Sequence, residues 1–148
     1  MPSPSNPDIE EWLEILDNLK PDKDTILAGH SRGGVAVLRY LERTSGKLKI
    51  KKVILLATNS GSAKFMAIPN ESNKGFYTKK GYNFKKIKSH CDDFVVFHSE
   101  DDPWVPFEHG EENVKGLDAK FIKFKDKKHF GKNEGIVPGL IDEVIEEK

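Results

Sequence analysis

Apolar positions change their period several times along the chain, and each change marks an element. Ile9, Trp12, Leu13, Leu16 and Leu19 recur three or four residues apart, the stripe of an amphipathic helix. Ser5 or Asn6 is placed to cap it, with Pro7, Asp8, Glu10 and Glu11 in its first turn and Pro21 at its end. The period then shortens. Thr25–His30 is a β-branched and aliphatic run, and Val35, Leu38 and Leu41 return to helical spacing, with Gly46 as the stop. Lys52-Val53-Ile54-Leu55-Leu56-Ala57-Thr58 is a short continuous apolar run, the pattern of a strand buried on both faces of a parallel sheet.

From about Asn59 to Ser89 or His90 no period holds. Phe65, Met66, Phe76, Tyr77, Tyr82 and Phe84 are scattered among Gly, Ser, Asn and Lys. Such an aromatic-rich loop either lines a pocket or fastens itself to the body. Asp93–His98 and Lys120–Phe124 predict a third and a fourth strand, with a short helix over Glu108–Gly116 between them. Leu140, Ile141, Val144 and Ile145 predict a last helix with Pro138 in its first turn. Strands alternating with helices define an α/β fold, a mostly parallel sheet with helices on both faces.

Composition narrows the picture. At 148 residues the chain makes one domain, residues 1–148. Its 24 basic and 24 acidic residues cancel, leaving no electrostatic footprint for nucleic acid or an anionic membrane. A single cysteine, Cys91, cannot form an internal disulfide and points to a reducing compartment. The Met1–Pro7 start has neither the basic nor the apolar region of a signal peptide, and no run is long enough to span a membrane. The expected location is the cytoplasm.

Between the first strand and the helix after it stands G-x-S-x-G, as Gly29-His30-Ser31-Arg32-Gly33. A strand turning sharply into a helix strains the turn residue and demands small neighbours two positions either side. The serine is thereby exposed at the strand's C-terminal end, beside the free N–H groups of the helix. A serine needs a base, and the base needs a carboxylate to orient it. In α/β sheets reactive groups collect at the C-terminal strand ends. Ser99-Glu100-Asp101-Asp102-Pro103 follows the third strand and Lys125-Asp126-Lys127-Lys128-His129 the fourth, giving the order Ser31…Asp102…His129 of α/β-hydrolases. His30, in an x position of the elbow, is expected to pack or hydrogen-bond locally. A metal site from His90, Cys91, Asp92 and His98 matches no zinc spacing, and neither a metal nor a cofactor is expected.

With these residues in place, the chain resembles the small α/β-hydrolases of the retinoblastoma-binding serine hydrolase family, also called YdeN-like. The matching segments are Gly29-His30-Ser31, Gly75-Phe76-Tyr77-Thr78, Phe84–Lys88, Cys91, Asp101-Asp102-Pro103 and His129-Phe130, in that order. The resemblance implies Ser31 as nucleophile, Asp102 as orienting acid and His129 as base, with Phe76 and Tyr77 near the site. It also implies that the chain holds the fold's C-terminal four-strand portion and lacks the strands that open it in relatives. An open Thr25–His30 edge would follow, prone to self-association. The L-x-C-x-E peptide linked with pocket-protein binding is replaced by Leu19-Lys20-Pro21-Asp22-Lys23.

The resulting expectation is a carboxylesterase-like serine hydrolase acting on small acyl esters or related carbonyl substrates. The Arg32 N–H would be one oxyanion donor, and the Arg32 side chain either solvated or bound to a substrate carboxylate. The partner is a small-molecule substrate, not nucleic acid or a membrane. The rival reading is a non-catalytic interaction module or an inactive hydrolase fragment.

Overall fold

The fold is taken from a computed structural model that describes residues 1–2, 5–62 and 75–145. Phe65 and Met66 of the aromatic-rich stretch lie outside the described residues. Four strands, β1 (Ile26–His30), β2 (Lys52–Leu56), β3 (Phe94–Ser99) and β4 (Lys120–Phe124), form one sheet in the order β1-β2-β3-β4. All three pairings are parallel, with Leu27 opposite Val53, Ile54 opposite Val95 and Phe97 opposite Ile122. Every residue of β2 and β3 is buried, which explains their continuous apolar sequences. β1 stands at one end of the order, and β2 is its one strand neighbour among the described residues.

The alternation of side chains along the strands separates two cores. Leu27, Val53, Leu55, Phe94 and Val96 face a cluster completed by helices α1 (Ile9–Asn18), α2 (Arg32–Arg43), α3 (Phe84–Lys88) and α4 (Phe107–Leu117). Ile54, Leu56, Val95 and Phe97 face the other way, against Phe130, Val137 and Leu140. Among the described residues helices thus cover the two faces unequally, since the second has α5 (Leu140–Val144) and the loop before it.

Several boundaries differ from the sequence reading. Asp8, rather than Ser5 or Asn6, caps α1, its Oδ1 accepting the Glu10 N–H at 2.8 Å. Leu19 falls just past the end of α1 and is 69% exposed, so it leaves the apolar stripe. α2 ends at Arg43 on a Thr44 cap, and Gly46 lies in the loop beyond. α3 is a short helix inside the stretch read as loop, started by Asn83, whose side chain accepts the Lys86 N–H.

α5 shows the largest departure. Ile141, Val144 and Ile145 are exposed, and the side chains turned inward are Leu140, on the second core, and Glu143, the most buried of the helix. Its carboxylate meets Lys52 Nζ at 3.1 Å and Lys120 Nζ, and Lys52 also reaches Asp93 at 3.3 Å. Lys52 is 1% exposed, so its charge is compensated inside the protein rather than by water. This ionic cluster fastens α5 beneath the N-terminal ends of β2 and β4.

Candidate active site

Ser31 sits between β1 and α2 with φ 53° and ψ −122°, a conformation that costs a non-glycine residue roughly 1–3 kcal/mol. The close approach that imposes this turn is different from the one the pentapeptide suggests. A Cβ on Gly33 would meet nothing within 4 Å. A Cβ on Gly34 would lie 2.0 Å from Thr58 Oγ1, and one on Gly29 would lie 2.5 Å from Gly34 Cα. Gly29 and Gly34 therefore allow strand and helix to pass, while Gly33 is not sterically required. The Ser31 N–H is bonded to the Leu56 carbonyl at 2.8 Å, which ties the elbow to the end of β2.

The loops after β3 and β4 meet at Asp102 and His129. Asp102 Oδ2 accepts from His129 Nδ1 at 2.8 Å. Its Oδ1 accepts the N–H groups of Trp104 and Val105, both at 2.9 Å. The Asp102 side chain is fully buried and that of His129 is 10% exposed. Burial pushes the Asp102 carboxyl up, but the His129 bond and the Val105 and Trp104 amides outweigh it and hold the group below its ordinary value. An ionised Asp102 can only accept, so His129 Nδ1 is the donor in this bond.

Asp101 points elsewhere. Its Oδ1 accepts from Ser99 Oγ at 2.6 Å and from the Lys128 N–H at 2.8 Å. The Ser99 hydrogen bond, opposed by slight desolvation and joined by the Lys128 amide, lowers its carboxyl. From the elbow side, His30 Nε2 contacts the His129 carbonyl at 2.7 Å, and the two imidazoles lie 4.7 Å apart. The contact expected of His30 is a local one; its partner instead lies 99 residues away, on the loop after β4. Burial, only partly offset by that carbonyl, pushes its pKa down.

The aromatic pair divides. Phe76 is fully buried, set edge-on against Trp12 with ring centroids 5.2 Å apart, so its side chain forms the floor beside the elbow rather than a wall open to solvent. Tyr77 is half-buried and its hydroxyl accepts from Asn59 Nδ2 at 3.3 Å. Burial raises the Tyr77 phenol, with Arg32 as the chief opposing influence. The Arg32 guanidinium lies 5.8 Å from the Phe76 ring centre. It is half-buried between these two aromatics, neither freely solvated nor paired with a carboxylate among the described residues.

Two residues escaped the sequence reading. Trp104 is 76% exposed with its ring 5.1 Å from that of His129, forming an apolar lip over the imidazole. Its place two residues after Asp102 was the available signal. Arg39, buried in α2, donates to the carbonyls of Phe76, Gly61 and Gly81 and lies 4.5 Å from the Tyr82 ring centre. It anchors the described ends of the aromatic-rich loop, and an arginine among helical residues gave no hint of that. His90 contacts the Leu48 carbonyl and His98 the Val105 carbonyl, while the Cys91 thiol donates to the Asp93 carbonyl. No group of three metal-ligating side chains occurs among the described residues, and no helix among them is long and apolar enough to cross a membrane.

A parallel sheet with a strained serine at the end of β1, and an Asp–His pair on the loops after β3 and β4, defines an α/β-hydrolase fold. A model of the serine hydrolase family matches residues 2–138, and the chain belongs to that family. It is 33% identical to the serine hydrolase RBBP9 of Rattus norvegicus over 135 residues, covering 90% of this chain and 68% of the relative. It is 30% identical to the YdeN protein of Bacillus subtilis, covering 91% of this chain and 70% of that one. The crystal structure of the ydeN gene product superposes with a TM-score of 0.83 at 27% identity, over 99% of this chain and 78% of that chain. The esterase domain of a Rhodothermus marinus protein shares the fold, with a TM-score of 0.61 at 18% identity over 86% of this chain and 61% of that chain.

Proposed function

We propose that the chain hydrolyses small acyl esters or related carbonyl substrates through Ser31, His129 and Asp102. Ser31 Oγ attacks the carbonyl carbon while His129 Nε2 takes the hydroxyl proton. The Arg32 N–H, first in α2, donates to the oxyanion. His129 then gives its proton to the leaving alkoxide, which departs and leaves an acyl-serine. Water, deprotonated in turn by His129, releases the acid and restores Ser31. Asp102 stays ionised throughout and stabilises the imidazolium.

The observation that carries this reading is the double anchoring of Asp102. One oxygen is held by two backbone N–H groups, and the other is thereby aimed at His129 Nδ1 at 2.8 Å. A carboxylate with only a structural role has no need to fix the tautomer of a neighbouring histidine. Trp104 and Tyr77 would border the acyl or leaving group.

A fluorophosphonate probe tests the proposal, since it labels only an activated serine. Labelling should map to Ser31 and vanish in Ser31→Ala, together with hydrolysis of 4-nitrophenyl acetate. Undiminished labelling of Ser31→Ala would remove Ser31 from the role. A folded chain with neither labelling nor turnover would support the interaction-module reading instead.

A further inference from the structure

The segment presenting His129 is held in a conformation it would not adopt unaided. Lys128 and Phe130, on either side, have φ 43° and φ 52°, both in the left-handed region that side chains with a Cβ disfavour. Neither is a glycine, so the surroundings must impose the shape. The restraints come from the end of β3. Ser99 Oγ accepts the Lys127 N–H at 3.0 Å and donates to Asp101 Oδ1 at 2.6 Å. The same Asp101 oxygen accepts the Lys128 N–H at 2.8 Å. On the far side, His30 binds the His129 carbonyl at 2.7 Å. Three consecutive residues are thus gripped by three side chains, through the Lys127 N–H, the Lys128 N–H and the His129 carbonyl.

We propose that Ser99 and Asp101 are positioning residues for His129, a clamp that holds the imidazole in register with Asp102 and the elbow. The clamp rests on the reading of His129 as general base. It gives the two adjacent aspartates separate tasks: Asp102 acts on the ring and Asp101 on the backbone that carries it. Acceptance is what the clamp requires of Asp101, because both partners donate to one oxygen. Charge is incidental, and an asparagine oxygen can take the same two bonds.

Asp101→Ala, Asp101→Asn and Ser99→Ala test this against 4-nitrophenyl acetate, with proton NMR of the His129 Nδ1–H in its bond to Asp102. Asp101→Ala should lower kcat by roughly 10- to 100-fold with KM within about threefold, the size of effect that a displacement near 1 Å produces. The Nδ1–H resonance should broaden away in the same variant. Asp101→Asn should restore both kcat, to within about threefold, and the resonance. Ser99→Ala frees the Lys127 N–H and removes the hydroxyl that donates to Asp101 Oδ1, so it should lower kcat by a similar factor and broaden the same resonance. Wild-type kcat with an intact resonance in Asp101→Ala would overturn the clamp. So would equal damage from Asp101→Asn, which would make charge the operative property. The resonance separates this proposal from the hydrolase reading. If Ser31 proves unreactive, loss of the signal in Asp101→Ala and its return in Asp101→Asn still support the clamp, and a signal indifferent to both substitutions refutes it.

Discussion

Asp102→Asn is the substitution whose outcome the geometry constrains most tightly. In the native protein Oδ1 accepts from two backbone N–H groups and Oδ2 from His129 Nδ1. An asparagine must keep its oxygen toward Trp104 and Val105. The flipped amide would set its NH₂ against those two donors and leave them unsatisfied, at about 1–3 kcal/mol each. The NH₂ therefore faces His129 and donates to Nδ1. The imidazole answers by moving its proton to Nε2, the atom that must be free to take the serine proton. Loss of the correct tautomer costs about 10⁴ in kcat in serine-hydrolase triads, or roughly 5.5 kcal/mol of activation free energy. Ester hydrolysis by the variant should fall by that order, with the thermal transition still cooperative and the Nδ1–H resonance absent. A loss below about tenfold would refute the reasoning, as would a full loss of rate with the Nδ1–H resonance retained.

Two further predictions use other parts of the fold. Gly34→Ala would place a methyl group 2.0 Å from Thr58 Oγ1 and should destabilise by about 1–3 kcal/mol or prevent folding, whereas Gly33→Ala, with open space, should melt within a few degrees of wild type. The opposite ranking would mean that the turn is packed differently. His98 is fully buried with Nε2 on the Val105 carbonyl and Nδ1 without a hydrogen-bond partner; burial depresses its pKa, against weaker raising by Val105 and Asp102. Its contribution to stability is therefore complete above the unfolded value near ~6.5 and declines as pH falls from there toward the folded value, by at most about 1.4 kcal/mol per pH unit. Urea midpoints should drop between pH 7 and 5.5 in wild type and drop less in His98→Gln; parallel slopes would remove His98 as the cause.

β2 and β3 were legible because burial on both faces makes them near-continuous apolar runs. The elbow was legible because strand, serine and helix are contiguous. Which glycine matters was not, because the obstacle to Gly34 is Thr58, a residue of another strand's end. The inward turn of Glu143 was hidden for the same reason: its partner Lys52 is 91 residues away, and a helix read alone shows only its apolar positions. Phe76 illustrates the opposite limit. An aromatic in an aperiodic stretch signals packing of some kind, but whether it lines a cleft or fills a core depends on Trp12 and Arg39, which the spacing does not reveal. The two aspartates were distinguishable by position in the family pattern, yet the division of labour proposed for them rests on the Lys127-Lys128 backbone lying against Ser99 and Asp101.

The two ends of the parallel sheet carry opposite burdens. At the N-terminal ends of β2 and β4, Lys52, Asp93, Lys120 and Glu143 compensate one another, and breaking the Lys52–Glu143 pair, buried on both sides, costs about 3–5 kcal/mol. Positive φ at non-glycine residues gathers chiefly at the C-terminal ends; before the strands it occurs at Lys20 and at Asp118, which closes α4 in the ordinary left-handed form. Ser31 follows β1, Ala57 follows β2, and Lys128 and Phe130 follow β4, all non-glycine residues with positive φ. Strain of this kind persists only where neighbouring bonds over-determine it. Here Leu56 holds Ser31, Phe97 holds Ala57, and Ser99, Asp101 and His30 hold the His129 segment. The restraints on Ser31, on Ala57 and, through Ser99 and Asp101, on the His129 segment come from an adjacent strand or its loop, while His30 reaches that segment from β1, at the other end of the strand order. α5 is nonetheless tied to the same segment: Leu140 and Phe130 pack in one cluster with Ile54, Leu56, Val95 and Phe97, so the ionic anchor at Glu143 and the backbone that carries His129 meet on one face of the sheet.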